Sequence, residues 1–166
     1  MDVSAWISYR ASVTPDDTVL RFEGRTTSYG ELEERIARTA STLRGLGVGR
    51  GDRVAYLGPN CPELLESFFA CARIGAISVP LNARMPAAEL GVFIELSDPA
   101  VVLAERDLVE QAGASVPKLR NRVSSFVVGR GDLSAAATEP VRLDPGSDAA
   151  APVLIAFTSG TTGTPK

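Results

Sequence analysis

The chain has 166 residues, of which 45% are hydrophobic and 22% are charged, and its formal net charge is -3. This length and composition are typical of one globular domain and exclude a disordered chain, a collagen and a coiled coil. The longest apolar stretch covers residues 149–157. It is about half as long as a membrane-spanning helix, so no spanning segment is predicted.

Several classes of function can be excluded from the N-terminal residues, the net charge, the cysteines and the absence of histidine. No secretory signal is visible, so we expect a cytoplasmic protein, and the acidic balance argues against nucleic acid as a partner. Cys61 and Cys71 lack the spacing of a metal site or a redox pair, and we interpret both as helix packing residues. Histidine is absent, which excludes Ser-His-Asp and Cys-His systems from this chain. No catalytic residue and no metal ligand is therefore assigned.

The first predicted elements are a hairpin and a helix. Residues 18–28 alternate in hydrophobicity around a Gly-Arg turn, which predicts a short β-hairpin. Ser28 and Glu31 have the spacing of a capping box at the start of a helix. The apolar face of that helix consists of Leu32, Ile36, Ala40 and Leu43. The charged face, which we expect to lie in water, contains Glu33, Glu34, Arg35 and Arg38.

A glycine-rich run at residues 45–51 follows this helix. It predicts the end of the helix, because glycine readily adopts the left-handed conformation found there. In the dinucleotide-binding fingerprint the glycines follow a strand and precede a helix, whereas here they follow a helix. We therefore interpret the run as a turn.

From residue 54 onward, apolar strand patterns alternate with helical patterns. Strands are predicted at residues 54–57, 76–81, 100–104 and 123–128. Helices are predicted to begin at Asn60 and Pro86 and to cover residues 105–112. Such alternation is typical of parallel strands joined by crossover helices, so the predicted class is α/β with a mostly parallel sheet. Pro80 is expected at the end or at an irregular edge of its strand, and residues 129–151 are predicted to form a surface loop or linker.

The final segment carries the groups best suited to bind a ligand. Residues 152–157 are apolar throughout and predict a strand buried on both faces of the sheet. The string T-S-G-T-T-G-T-P-K follows, in which Gly160 and Gly163 expose backbone N–H groups and Lys166 adds one of only two lysines in the chain. These donors and the hydroxyls suit a polyphosphate. The spacing differs from that of the Walker loop, which argues against a P-loop NTPase.

This string resembles the signature phosphate loop of the adenylate-forming (AMP-binding) superfamily, which includes acyl-CoA synthetases, aryl-CoA ligases, luciferases and peptide-synthetase adenylation domains. Other strings resemble the opening of such enzymes in the same order, namely residues 27–32, 51–55, Asn60 with Glu63, and 75–82. The resemblance covers nearly the whole chain. The chain is thereby identified as the N-terminal portion of an acyl-CoA synthetase of the fatty-acid–CoA ligase type.

The resemblance implies a two-step reaction that uses ATP, magnesium, a small-molecule carboxylic acid and coenzyme A. The acid first forms an acyl-adenylate, and the thiol of coenzyme A then accepts the acyl group. The resemblance assigns the loop to the β- and γ-phosphates of ATP. Carried over by position, the phosphate-binding residues are Thr158, Ser159, Gly160, Thr161, Thr162, Gly163 and Lys166.

Members of that family continue well beyond such a loop, so residues 1–166 are expected to be an incomplete adenylation domain, without the C-terminal lid domain and not catalytically competent alone. Two alternatives remain: a non-catalytic remnant of such an enzyme, and part of an amino-acid adenylation domain that delivers to a carrier protein. An incomplete domain also predicts that the apolar residues 153–157 are more exposed than their sequence warrants.

Overall fold

A computed structural model of the chain describes residues 3–115, 123–126, 132–135, 141 and 151–157. The helices are α1 (Ser4–Val13), α2 (Tyr29–Gly45), α3 (Pro62–Ile74), α4 (Ala87–Ser97), α5 (Val109–Ser115) and α6 (Asp132–Ala135). The strands are β1 (Thr18–Phe22), β2 (Arg25–Ser28), β3 (Arg53–Gly58), β4 (Ile77–Asn82), β5 (Val101–Glu105) and β6 (Val123–Phe126). A 3₁₀ turn, Arg106–Leu108, connects β5 to α5.

Strands β3 to β6 form one parallel sheet in the order β4-β3-β5-β6. The central strand β3 places Tyr56 between Pro80 of β4 and Leu103 of β5. Strands β1 and β2 form a separate antiparallel hairpin. The predicted α/β class with a mostly parallel sheet is therefore confirmed, as is the hairpin.

Helices cover both faces of the sheet, because a parallel strand in the middle of a sheet points alternate side chains to opposite faces. Val54 and Tyr56 of β3 pack into a core with α2 and α3, around residues such as Ile36. Ala55 and Leu57 point the other way and pack with Leu90, Ile94 and Ala112 of α4 and α5. Two hydrophobic cores thus lie on the two faces of the sheet, one on each side of β3.

The boundaries of α2 follow the sequence signals. The backbone N–H of Glu31 donates to Ser28 Oγ at 3.2 Å, and the N–H of Ser28 donates to Glu31 Oε2 at 2.9 Å, which completes the capping box. Gly47 follows the helix with a φ of 87° and donates its N–H to the carbonyl of Arg44. The glycine run is therefore a turn, as predicted.

Helix α1 was not predicted, because its apolar residues do not gather on one face. Trp6, Tyr9 and Val13 are all more than half exposed, while Ile7 reaches the core. The helix is held instead by its packing on α2 and α3. It is an element that only tertiary contacts define.

The prediction of a strand buried on both faces at residues 152–157 is wrong. Only Leu154 forms a bridge, parallel to Ser78, and none of residues 151–157 is buried. Ser78 donates its N–H to the carbonyl of Val153 at 3.0 Å and accepts from the N–H of Ile155 at 2.9 Å. The next donor on that edge of β4 would be residue 80, and proline has no N–H. The ladder therefore stops after one bridge, and the expectation of an irregular edge at Pro80 is confirmed.

The exposure expected along residues 153–157 is confirmed. Leu154 is 46% exposed, and residues 152, 154 and 156 alternate with half-buried neighbours. The segment lies at the outer edge of β4, and no further strand pairs with it among the described residues. One side of it is therefore open.

The loop predicted for residues 129–151 contains a short helix. Leu133 of α6 is buried in the core, and its carbonyl accepts a hydrogen bond of 2.8 Å from Thr42 Oγ1 of α2. Val141 also donates its N–H to the carbonyl of Ala37. At these positions the prediction of a surface loop is wrong, because one leucine suffices to dock a single turn on α2. The rest of this segment lies outside the described residues.

Candidate functional site

A cleft opens at the carboxyl ends of β3, β4 and β5. Its volume is about 830 Å³. It is lined by three loops, one after each strand: Gly58, Pro59 and Asn60; Pro80 to Arg84; and Glu105, Asp107 and Leu108. All three strands are parallel, so their ends meet at one edge of the sheet.

The order of the strands explains why a crevice forms there. After β3 the chain passes to β4 on one side, and after β4 it passes to β5 on the other side of β3. The loops that leave β3 and its neighbours therefore diverge toward opposite faces of the sheet. In open parallel sheets, ligands bind at such a topological switch point, outside the carboxyl ends of the strands. The cleft is thus a candidate ligand site on topology alone.

Among the described residues that line it, the cleft combines one cation with amides and carboxylates. Arg84 is exposed at its rim, and the backbone N–H of Arg84 donates to Asn82 Oδ1 at 3.0 Å, which shapes the loop after β4. On the opposite wall, Glu105 Oε2 accepts from the N–H of Asp107 at 2.8 Å and starts the 3₁₀ turn. A guanidinium beside the side-chain amides of Asn60 and Asn82 can bind an anionic or polar ligand.

The loop at residues 58–61 is fixed from below by a buried hydrogen-bonded pair. Tyr56 Oη lies 2.9 Å from Cys61 Sγ and also donates to the carbonyl of Pro59 at 3.2 Å. Burial raises the pKa of Tyr56, and burial raises the pKa of the Cys61 thiol to about 11. Burial also raises the pKa of the Cys71 thiol to about 12. Both thiols are therefore protonated at neutral pH and serve as packing residues, as predicted.

A cluster of charged side chains lies between α2 and α3. Arg73 donates to both carboxylate oxygens of Glu33, at 2.8 and 2.7 Å, and to Ser8 Oγ at 3.1 Å. Arg35 pairs with Glu66 of α3 at 2.6 Å. The expectation that Glu33 and Arg35 face water is wrong, because α3 presents charges of opposite sign to them. The helical pattern of α2 alone carries no signal for these partners, whereas Glu34 is exposed as expected.

The predicted phosphate-binding residues lie outside the described part of the chain; they are Thr158, Ser159, Gly160, Thr161, Thr162, Gly163 and Lys166. The structure does describe the segment that leads to them. Because residues 153–155 run parallel to β4, this segment leads toward the carboxyl ends of the strands, where the cleft opens. Phe157 packs edge-on against Phe93 of α4, with ring centroids 4.8 Å apart.

Two further kinds of functional feature are absent from the described ranges. None of the helices there combines the length and hydrophobicity that a membrane crossing requires. In the same ranges, no three His, Cys, Asp or Glu side chains converge closely enough to hold a metal ion.

Comparisons with known proteins identify the family. The sequence profile described as AMP-binding enzyme matches residues 7–166. The feruloyl-CoA synthase of Amycolatopsis sp is 40% identical over 164 residues, which are 99% of this chain and 32% of that protein. The indoleacetate–CoA ligase of Aromatoleum aromaticum is 38% identical over 173 residues, covering 100% of this chain and 34% of that protein.

A solved structure agrees with the sequence comparisons. The crystal structure of a putative long-chain-fatty-acid CoA ligase from Rhodopseudomonas palustris superposes with a TM-score of 0.83 and 28% identity, over 99% of this chain and 43% of that one. The chain thus spans about a third of the length of the curated relatives it matches. The profile match, the relatives and the shared fold together show that this chain belongs to the AMP-binding enzyme family, whose matched members include acyl-CoA ligases and fatty acid–[acyl-carrier-protein] ligases.

Proposed function

We propose that the protein carrying this chain activates a carboxylic acid with ATP and transfers the acyl group to coenzyme A. The match to the AMP-binding enzyme family over residues 7–166 is the observation that carries this proposal. The matched relatives that are named as CoA ligases support the same reaction class. A cytoplasmic location is part of the proposal, as the sequence led us to expect.

In the first step, a carboxylate oxygen of the acid attacks the α-phosphorus of ATP, and the bond to the bridging oxygen of pyrophosphate breaks. In the second step, the sulfur of coenzyme A attacks the acyl carbonyl carbon, the thiol loses its proton, and AMP leaves. Negative charge builds on the departing pyrophosphate in the first step. Positioned N–H groups, hydroxyls and an ammonium lower the barrier by stabilising that charge.

The phosphate contacts are proposed for the string at residues 158–166. Its two glycines, its hydroxyls and Lys166 are the donor set that a polyphosphate requires. The preceding residues 153–155 run parallel to β4, toward the carboxyl ends of the strands where the cleft opens, and this direction supports the assignment. Magnesium is expected to accompany ATP.

The cleft is proposed to hold an anionic part of one substrate. The carboxylic acid, ATP and coenzyme A are all anionic, and the exposed guanidinium of Arg84 lies at the rim of the cleft. In this role Arg84 would contribute to the binding of a substrate, and other groups would carry out the reaction chemistry. This role is also compatible with a chain that supplies only part of a complete active site.

Lysine usage allows a sharp test of the phosphate loop. Lys118 and Lys166 are the only lysines, so each can be replaced by alanine in a matched pair of variants. We expect Lys166→Ala to lower acid-dependent exchange of pyrophosphate into ATP by about 10-fold or more, the cost of a lost charge-assisted contact of about 1.5 to 3 kcal/mol. Lys118→Ala should leave the exchange unchanged. Equal pyrophosphate exchange in both variants would contradict the proposal that residues 158–166 bind the phosphates of ATP.

The acid itself is tested by a substrate panel in the same assay. A long-chain fatty acid is the acid that the resemblance predicts, and the R. palustris structure is named for such substrates. A second candidate is an aryl-substituted acid, favoured by the 40% identity to a feruloyl-CoA synthase. Exchange stimulated only by amino acids would favour an amino-acid adenylation domain instead.

A separate measurement addresses the isolated chain. We propose that the 166 residues alone do not catalyse the complete reaction, because the chain spans about a third of its relatives. Calorimetric titration with ATP and magnesium tests whether the chain retains a nucleotide site. Binding at micromolar concentration would contradict a non-catalytic remnant without nucleotide affinity.

A further inference from the structure

Two fully buried carboxylates lie side by side on α3. Glu63 and Glu66 are both 0% exposed and are separated by one turn of the helix, so both point toward α2. Arg35 of α2 lies 2.6 Å from Glu66 Oε1 and 3.9 Å from Glu63 Oε1. One guanidinium, on a side chain that is 27% exposed, thus serves two carboxylates that are themselves fully buried.

The other charged groups around α3 are already engaged. From α2, Glu33 is held by Arg73 of α3 itself. From α1, Arg10 stacks over Tyr29 and pairs with Asp17. Strand β3 contributes Arg53 at its far end, paired with Asp98, and Tyr56 next to Cys61. Strand β4 contains no titratable side chain.

The charge balance of this cluster favours one bound proton. With both carboxylates ionised, the pair and Arg35 would carry one net negative charge inside the protein, which burial makes costly. Glu66 Oε2 accepts no hydrogen bond from the described residues, so that oxygen is free to carry a proton. Burial is the main cause that raises the pKa of Glu66 to about 7; Arg35 opposes it, and the charge of Glu63 adds to it.

The same cluster is connected to the cleft. Glu63 follows Cys61 by two residues and acts on its thiol electrostatically, and Cys61 Sγ lies 2.9 Å from Tyr56 Oη. Tyr56 Oη in turn donates to the carbonyl of Pro59, which lines the cleft together with Asn60. Cys61 is also the residue that precedes the first turn of α3. Glu63 is therefore linked to the loop at residues 59–61 through Cys61 and Tyr56.

We propose that Glu63, Glu66 and Arg35 form a proton-dependent latch, which holds α3 and the cleft loop against α2 while the acid pair keeps one proton and loosens them when it is lost. The sign follows from linkage. The folded state binds this proton more tightly than the unfolded state, so the stabilisation is complete below the unfolded pKa, near 4.5, and disappears as the pH rises through about 7. The latch concerns the conformation of the domain and does not depend on the proposed reaction.

Urea unfolding between pH 5 and pH 8 tests the latch with two glutamine variants. Glu66→Gln keeps the shape and removes the titration, whereas Glu34→Gln removes an exposed glutamate of α2 that pairs with Arg38. Between these pH values, the unfolding equilibrium constant of the native protein should rise, relative to that of Glu66→Gln, on the order of 100-fold. The Glu34→Gln variant should follow the native protein. Parallel pH profiles for the native protein and Glu66→Gln would overturn the proposal.

Two measurements on the native protein complete the test without relying on a variant. Carbon-13 NMR of labelled glutamate should show one carboxyl group that titrates near neutral pH, and this signal should be missing in Glu66→Gln. Amide hydrogen exchange, corrected for its intrinsic pH dependence, should show that protection of Asn60 and Cys61 falls between pH 6 and pH 8, while protection of Leu103 in β5 does not. A glutamate titrating only near 4.5, or constant protection at Asn60 and Cys61, would overturn the latch.

Discussion

Tyr56 Oη and Cys61 Sγ lie 2.9 Å apart beneath the loop that lines the cleft. The tyrosine comes from the middle strand of the sheet, and the cysteine precedes the first turn of α3. Their contact therefore ties the sheet to the start of a helix at the point where the candidate ligand site opens. Pro59 belongs to the same network and to the wall of the cleft, so the contact also supports that wall.

Replacement of Tyr56 by phenylalanine tests this contact. The ring stays in the core while the hydroxyl is lost, so we expect the free energy of unfolding to fall by about 1 kcal/mol, the usual value of one buried hydrogen bond. Urea unfolding measures the change. Tyr9, which is 55% exposed, provides the matched control; Tyr9→Phe should change stability by less than about 0.5 kcal/mol. Equal effects of the two variants would show that the buried hydroxyl contributes nothing specific.

The ion pair of Arg73 should be worth far more than a surface pair. Arg73 is 3% exposed and its guanidinium donates to Glu33 and Ser8 and to the carbonyl of Val141. We expect Arg73→Met to destabilise the protein by about 3 kcal/mol, because it leaves a partly buried carboxylate without its partner. Arg38→Met, which removes an exposed pair with Glu34 on α2, should cost about 0.5 kcal/mol or less. Thermal unfolding measures the loss of stability in each variant. Similar losses in Arg73→Met and Arg38→Met would contradict this account.

Glycine at position 91 is required by packing between two helices. A Cβ atom on Gly91 of α4 would lie 2.8 Å from the carbonyl oxygen of Ser115 at the end of α5, which is backbone and cannot rotate away. We expect Gly91→Ala to destabilise the protein by about 1 to 3 kcal/mol. Gly45 lies at the end of α2, and a Cβ atom added to it would have no neighbouring atom within 4 Å. Gly45→Ala should therefore be neutral or stabilise the protein by up to about 1 kcal/mol. Chemical denaturation of the two variants decides between packing and helix propensity, since propensity alone predicts stabilisation at both sites.

The cleft makes a prediction about binding. Removal of the exposed guanidinium in Arg84→Ala should raise the KM of at least one of the three anionic substrates by about 5- to 10-fold, with a smaller effect on kcat. Arg106 is also exposed but does not line the cleft, so Arg106→Ala is the matched control and should leave all KM values unchanged. Steady-state kinetics of the protein carrying this chain provide the measurement. Unchanged KM values in Arg84→Ala would show that the guanidinium in the cleft does not contribute to substrate binding.

Local patterns predicted much of this fold, because they depend on neighbours in the chain. The capping box of Ser28 and Glu31 and the glycine turn at Gly47 are formed by residues three or four apart, and both are present. The alternation of strands and helices likewise predicted the parallel sheet, since parallel strands require long connections.

Features that depend on distant partners were beyond local patterns. Glu33 and Arg35 read as a solvent-exposed face until α3 supplies Arg73 and Glu66, and Gly91 reads as a weak helix residue until α5 packs against it. The strand predicted at residues 152–157 stops after one bridge because the neighbouring strand presents Pro80 at its edge. The cleft exists only because β5 returns to the far side of β3.

The sequence by itself determined the class of the fold and the boundaries of α2. Through the string at residues 158–166, it also determined which family the chain resembles. Those properties are encoded by short-range spacing and by a motif. Only the tertiary structure decided which charges are buried, where the sheet has an open edge and which loops form the cleft. Each of these depends on the free energy of groups that are far apart in the chain and are brought together by burial.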